Sequence, residues 1–155
     1  MSKVKIIDRL QELGMELPQL NPPLAAYVPA KRDANLIFVS GQLPLKDGRL
    51  VATGILELES QVPAGQAAMR QCFLNGLAAA ATQVDLEQIE GLVRLGAFVA
   101  AGPQFHWHHL VANGASEAAL AVWGDAGRHA RAAVGVSSLP LNASVELELL
   151  FKIQD

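Results

Sequence analysis

The chain carries a single cysteine, Cys72, in 155 residues. One thiol excludes an intramolecular disulfide and any metal site built on several cysteines. In an Ala-rich helical stretch it reads as a small buried hydrophobe. Basic runs are lacking too. Twelve Lys and Arg stand against 15 Asp and Glu, for a net charge of −3, so the electrostatic footprint of a nucleic-acid binder is missing and so is a polybasic membrane patch. No uncharged apolar run reaches the roughly 18 residues that mark a membrane helix. The N-terminal MSKVKIIDRLQELG threads charges through its apolar positions, unlike a signal peptide. The expectation is a cytoplasmic protein with neither a nucleic-acid nor a membrane partner. No Gly-rich phosphate loop occurs, because Gly91, Gly96 and Gly102 fit neither dinucleotide nor P-loop spacing. No H-E-x-x-H motif occurs either. His106-x-His108-His109, with Trp107 between and His129 farther on, invites a zinc reading, and on a helix His106 and His109 would share a face. With no cysteine or carboxylate to complete a set, polar or interface histidines at a helix start are expected instead, and neither a metal nor a cofactor.

What is present is apolar. The composition is 51% hydrophobic and 17% charged, enough to expect one domain over residues 1–155 with part of its apolar surface covered by other subunits. Ser2 to Leu13 has helical spacing with Ser2 as N-cap and Gly14 as C-cap, an N-terminal extension within residues 1–20. Pro18, Pro22 and Pro23 then give an extended lead-in. Two short strands, Ala26 to Ala30 and Asn35 to Ser40, flank a Lys31–Ala34 turn, and the continuous apolar run Leu36–Val39 suggests burial on both faces. Ser40-Gly41-Gln42 ends the second strand, where Gly41 permits a close backbone approach or a positive φ. Lys46-Asp47-Gly48 is a hairpin turn with Arg49 to Thr53 returning.

Pro63 to Thr82 is the clearest helix, with a wide stripe of small apolar residues that suits close packing on a sheet. Asp85 caps a short segment leading into the strand Gly91–Ala100. Phe105 to Trp123 is a second helical region, in two pieces meeting near Asn113-Gly114. After a Gly124–Gly127 turn, Arg131–Val136 and Ser144–Lys152 are strands, the latter alternating strictly from Val145 to Leu149. The fold class is α+β, with helices on one face of a mixed sheet.

Arg131 stands alone at the start of an uncharged strand. By itself it reads first as a surface or salt-bridged arginine; its functional use would be gripping a carboxylate with its planar fork. If its strand pairs with the last one, Arg131 and a carboxylate of that strand share a pocket wall. Glu146 and Glu148 point to one face, opposite Val145, Leu147 and Leu149. That face is ordinarily solvent, and a carboxylate set in a pocket would instead handle a proton. Ser40-Gly41-Gln42 offers a hydroxyl and backbone amides but no G-x-S-x-G frame.

The order of these pieces is more informative than any one of them. Tyr27 after a Pro-rich lead-in, Phe38-Val-Ser-Gly-Gln-Leu-Pro44, a long helix, Asn113, Ala130-Arg131-Ala-Ala-Val, Leu139-Pro140 and Val145-Glu-Leu-Glu148 together resemble the Rid/YjgF family, also labelled endoribonuclease L-PSP, from about Pro23 to Ile153. The resemblance implies a chorismate-mutase-like sheet backed by two main helices, and a homotrimer with a barrel-like centre and three clefts between subunits. It implies cofactor-free hydrolysis of 2-enamine and 2-imine acids to 2-keto acids and ammonia. Arg131 then grips the substrate carboxylate and Glu146 positions or activates water. Tyr27 and Ser40 line the imine side, Gly41 is the close-approach backbone, Asn113 joins the pocket from a neighbouring subunit, and Ala133 offers a backbone carbonyl. In the deaminase subgroup the position of Ala133 is often cysteine, so no thiol role transfers. Arg128 and His129 would shape the cleft mouth, as in a less-characterised branch. Two alternatives stay open: a non-catalytic trimer that binds small carboxylates or protein partners, and the ribonuclease of the family's label.

Overall fold

A computed structural model describes residues 5–20 and 26–155. The expected Ser2 cap and the Pro22-Pro23 lead-in lie outside the described residues. The elements run α1 (Ile6–Glu12), β1 (Ala30–Asp33), β2 (Leu36–Gln42), β3 (Leu45–Lys46), β4 (Arg49–Leu50), α2 (Val62–Ala80), β5 (Ile89–Ala100), α3 (His108–Trp123), β6 (Ala130–Val136) and β7 (Val145–Ile153). Five strands form one mixed sheet in the order β1-β2-β7-β5-β6, with only β5 and β6 parallel. A parallel pair needs a crossover, and α3 supplies it. The fold is thus the expected α+β arrangement, with α2 and α3 packed on one face.

Strand patterning decides which face each side chain takes. Along β7 the odd positions Val145 to Ile153 are buried under the helices, while Glu146, Glu148, Leu150 and Lys152 turn to the other, open face. In β2, Ile37 and Val39 are buried but Phe38 is 49% exposed. The apolar run there is therefore one-sided within the protomer, not buried on both faces, because no helix among the described residues covers the open side. β1 and β2 join at Ala34-Asn35, with Ala34 at φ 50°. Lys31 and Arg32 belong to β1 rather than to the turn. The Asp47-Gly48 hairpin is present, both residues at positive φ, but its returning strand stops at Leu50.

The helices are placed by small residues. From Gln71 to Ala80 every residue of α2 is buried, Cys72 included. Asn75 is aimed at β3 and its lead-in, donating to the carbonyls of Leu43 and Leu45 at 3.0 and 2.9 Å, and so fixes the segment that follows Ser40-Gly41-Gln42. α3 is continuous through Asn113-Gly114. Gly114 is not a break but the place where α3 meets α2: a Cβ there would collide with the backbone of Gln66. Phe73, Trp123 and Phe151 close one end of the core, with centroids 5.7 to 6.5 Å apart. α1 seals that end. Ile6 and Leu10 are buried, the Ile6 N–H donates to both Glu87 carboxylate oxygens at 2.9 Å, and Arg9 Nε donates to the carbonyl of Ala121 at 2.9 Å. Gly14, at φ 68°, follows as the helix terminator.

Candidate functional site

Strand order overturns the expectation that the last two strands pair. β5 lies between β6 and β7. Arg131 is in register with Leu95, which is buried toward the helices, and its guanidinium reaches α3. Glu146 is in register with Phe98 on the open face. The two residues therefore occupy opposite faces of one sheet, and the candidate site falls into two halves.

The first half lies between β6 and the N-terminal turns of α3. Arg131 Nη1 donates to Asn113 Oδ1 at 2.8 Å and to Ser116 Oγ at 3.0 Å, and Nη2 donates to the carbonyl of His109 at 3.0 Å. Asn113 thus belongs to the same subunit as the Arg131 it holds, not to a neighbour's contribution. Three of the five guanidinium N–H groups are committed. Nε and the second Nη2 hydrogen find no acceptor among the described residues. A guanidinium can offer Nε and Nη2 together to a carboxylate in a bidentate contact. Ala133 and Gly135 continue the same strand face. The His108 ring sits over Gly135: a Cβ there would lie 2.5 Å from Nε2. Partial burial, then the neighbouring His106 and His109, lower the His108 pKa from its ordinary value and so favour the neutral ring.

The histidine run does not form the expected helical face. α3 begins at His108, so His106 precedes it. Phe105 is buried, with Trp107 and His108 packed edge-on against it at 5.3 Å. Among the described residues no three His, Cys, Asp or Glu gather as a metal-binding set.

The second half lies on the open face. Between Val39↔Leu149 and Gln42↔Leu147, β2 inserts one extra residue, so Ser40-Gly41 forms a bulge opposite β7. Gly41 φ is not positive, so its role is close approach. The Glu146 carboxylate occupies the space where a Gly41 side chain would begin, and Glu148 leans the other way over Gly96. Two glycines on the flanking strands thus make room for two carboxylates. Burial first, then the Glu148 charge, raise the Glu146 pKa. A carboxyl shifted upward holds a proton more readily than a solvated one, which suits proton transfer. Ser40 Oγ donates to the carbonyl of Val28 at 2.7 Å and so ties down the segment carrying Tyr27, whose side chain is exposed. A depression of about 220 Å³ beside this half is lined by Phe38, Arg94, Gly96 and Glu148 among others.

Sequence reading missed Ser116, the His109 carbonyl and the wiring of His129. Ser116 had a findable signal, since it lies three residues after Asn113 and shares its helix face. The carbonyl had none.

The family described as "YjgF/chorismate mutase-like, putative endoribonuclease" matches residues 7–153. The Trypanosoma cruzi protein TCP17 is 39% identical over 153 residues, 97% of this chain and 96% of that one. The crystal structure of Atu1372 from Agrobacterium tumefaciens, a protein of unknown function, is 43% identical, with a TM-score of 0.84 over 96% of this chain and 92% of that one. A Shewanella oneidensis structure described as "a putative endoribonuclease" gives a TM-score of 0.90 at 29% identity over 96% and 99% of the two chains.

Proposed function

Since the chain belongs to the YjgF/chorismate-mutase-like family, we propose that it is an imine/enamine deaminase, hydrolysing reactive 2-imino acids to 2-keto acids and ammonia in clefts between the subunits of a homotrimer. The observation that carries the reading is the Arg131 guanidinium. It is held by three hydrogen bonds within its own subunit and keeps two N–H groups with no acceptor among the described residues. A charge-assisted contact there is worth about 1.5–3 kcal/mol, enough to orient a small acid.

The two-faced layout supports an inter-subunit cleft. Arg131 and Glu146 cannot meet within a protomer, whereas a second copy could bring its Glu146 half against the Arg131 half. The open face is suited to association, with Phe38 and Val134 at 49% and 45% exposure. With the carboxylate fixed, Glu146 of the adjoining copy positions a water against the imine carbon and takes one of its protons. The C–O bond forms as the C=N pair moves to nitrogen, which receives the proton that Glu146 took. The carboxylate, free again, takes the hydroxyl proton and passes it to the amine; the C–N bond breaks, the C=O bond forms and ammonia leaves. An imine is already electrophilic, so orientation supplies most of what is required.

Ala133 favours a second reading, a non-catalytic carboxylate-binding trimer, because it offers only a backbone carbonyl where the deaminase subgroup often has a thiol. The ribonuclease reading gains nothing from a chain of net charge −3, since phosphate neutralisation supplies most nucleic-acid affinity. The test is ammonia release from freshly generated 2-iminopropanoate by wild type and Arg131→Ala, with folding and oligomeric state checked for both. The deaminase reading requires acceleration over buffer by the wild type and its loss in the variant. Tight 2-keto acid binding without turnover supports the binder. No acceleration and no binding refutes both.

A further inference from the structure

The polar chain behind Arg131 continues past its first partners. Ser116 Oγ, which accepts from Arg131 Nη1, lies 2.8 Å from His129 Nε2, and His129 Nδ1 lies 2.7 Å from the carbonyl of Gly127. A carbonyl only accepts, so Nδ1 carries the hydrogen. In the neutral ring Nε2 is then the acceptor, and the Ser116 hydroxyl donates to it. With the ring neutral, every hydrogen has one direction: Arg131 to Ser116, Ser116 to His129, His129 to Gly127. Ser116 is buried, at 8% exposure, and Gly127 is itself wedged against the carbonyl of Ala119. The chain thus ends on backbone locked to α3.

We propose that Ser116 and His129 are positioning residues that hold the Arg131 guanidinium in one orientation, ready for the carboxylate of a small 2-oxo or 2-imino acid. The ligand half of this rests on the function proposed above; the positioning half stands on the hydrogen-bond directions alone. An unrestrained arginine side chain loses rotamer freedom on binding, and a chain that fixes it beforehand removes that cost. His129 therefore acts behind the arginine rather than at the cleft mouth, and it touches no ligand.

Two measurements separate the halves. The first is the rotation of the Arg131 guanidinium, read as resolved or averaged Nη hydrogens by nitrogen-15 NMR and assigned by loss of the signal in Arg131→Lys. Resolved signals are expected in the wild type and in Ser116→Thr, which keeps the hydroxyl, with averaging in Ser116→Ala and faster rotation in His129→Phe. Unchanged signals in both Ser116→Ala and His129→Phe overturn the proposal. The second is pyruvate affinity by calorimetry. Ser116→Ala is expected to weaken it about tenfold, about 1.4 kcal/mol, and to have no further effect in an Arg131→Ala background. The same weakening in both backgrounds shows that Ser116 does not act through Arg131 and also overturns the proposal. If the NMR result holds while wild type fails to bind pyruvate, the positioning role stands and the keto-acid reading falls.

Discussion

Replacing Gly41 by alanine separates the site from the fold. Its Cβ would take the space of Glu146 Oε1, the far end of a side chain free to rotate, and it meets no backbone. Because Gly41 φ is not in the left-handed region, alanine is unstrained there and gains about 0.5–1 kcal/mol over glycine in a strand. Pushing the carboxylate off its rotamer costs about 0.5–1.5 kcal/mol. The two nearly cancel, so the melting temperature is expected to stay close to that of the wild type. The carboxylate, however, moves by about 1 Å, a displacement that costs on the order of 100-fold in rate when the group positions a reactant. That is about 2.7 kcal/mol of barrier. The assay is steady-state ammonia release beside a thermal melt, with a crystal structure to locate the carboxylate. Undiminished kcat with the carboxylate visibly displaced would remove Glu146 from the mechanism. A variant that fails to fold would show that the carboxylate cannot yield, contrary to the packing argument.

Gly114→Ala should behave oppositely. Its Cβ meets the Gln66 backbone, which cannot rotate away, so overpacking of about 1–3 kcal/mol acts against a helix-propensity gain of about 1 kcal/mol. A lower melting temperature with unchanged kcat in the folded fraction is expected, and a rise would contradict the helix contact. Glu146 predicts a pH dependence. Its folded pKa is raised, so the native state binds more protons than the unfolded chain between the ordinary carboxyl range and the raised value, and stability falls as pH climbs through that window. Glu146→Gln should therefore melt above the wild type at pH 7, with the gap closing in acid; a gap that widens in acid counts against the shift. Cys72 is fully buried, and burial first, then Glu146, push its thiol pKa up. It should resist thiol reagents in the native protein and react only at the rate of unfolding; rapid native labelling would refute its burial.

Legibility in the sequence followed the range of the forces involved. α2 and the alternation of β7 are periodic patterns set by burial over many residues, and both stand where expected. The Asp47-Gly48 turn is local chemistry and is also present. What failed depends on partners distant in sequence. Nothing in residues 127–152 says that β5 inserts between β6 and β7, so the shared wall for Arg131 and Glu146 could not be tested without the sheet order. Gly114 resembles a helix breaker until α2 is laid against it. Phe38 is apolar and looks buried because a sequence does not reveal which sheet face lacks a helix. The family resemblance identified the fold, but Asn113 turned out to serve Arg131 from within its own subunit. The same helix turn brings Ser116 and a backbone carbonyl that no motif describes.

Placing Arg131 and Glu146 on opposite faces of one sheet has a genetic consequence. If each cleft takes its arginine from one subunit and its carboxylate from the next around a closed ring, two inactive alleles can rescue one another. Trimers refolded from equal amounts of Arg131→Ala and Glu146→Gln chains would contain intact clefts in about a quarter of positions, by random assortment around the ring. Neither parent contains any. Co-expression of the two variants should restore activity that each lacks alone, whereas a site complete within one subunit would stay silent in every mixture.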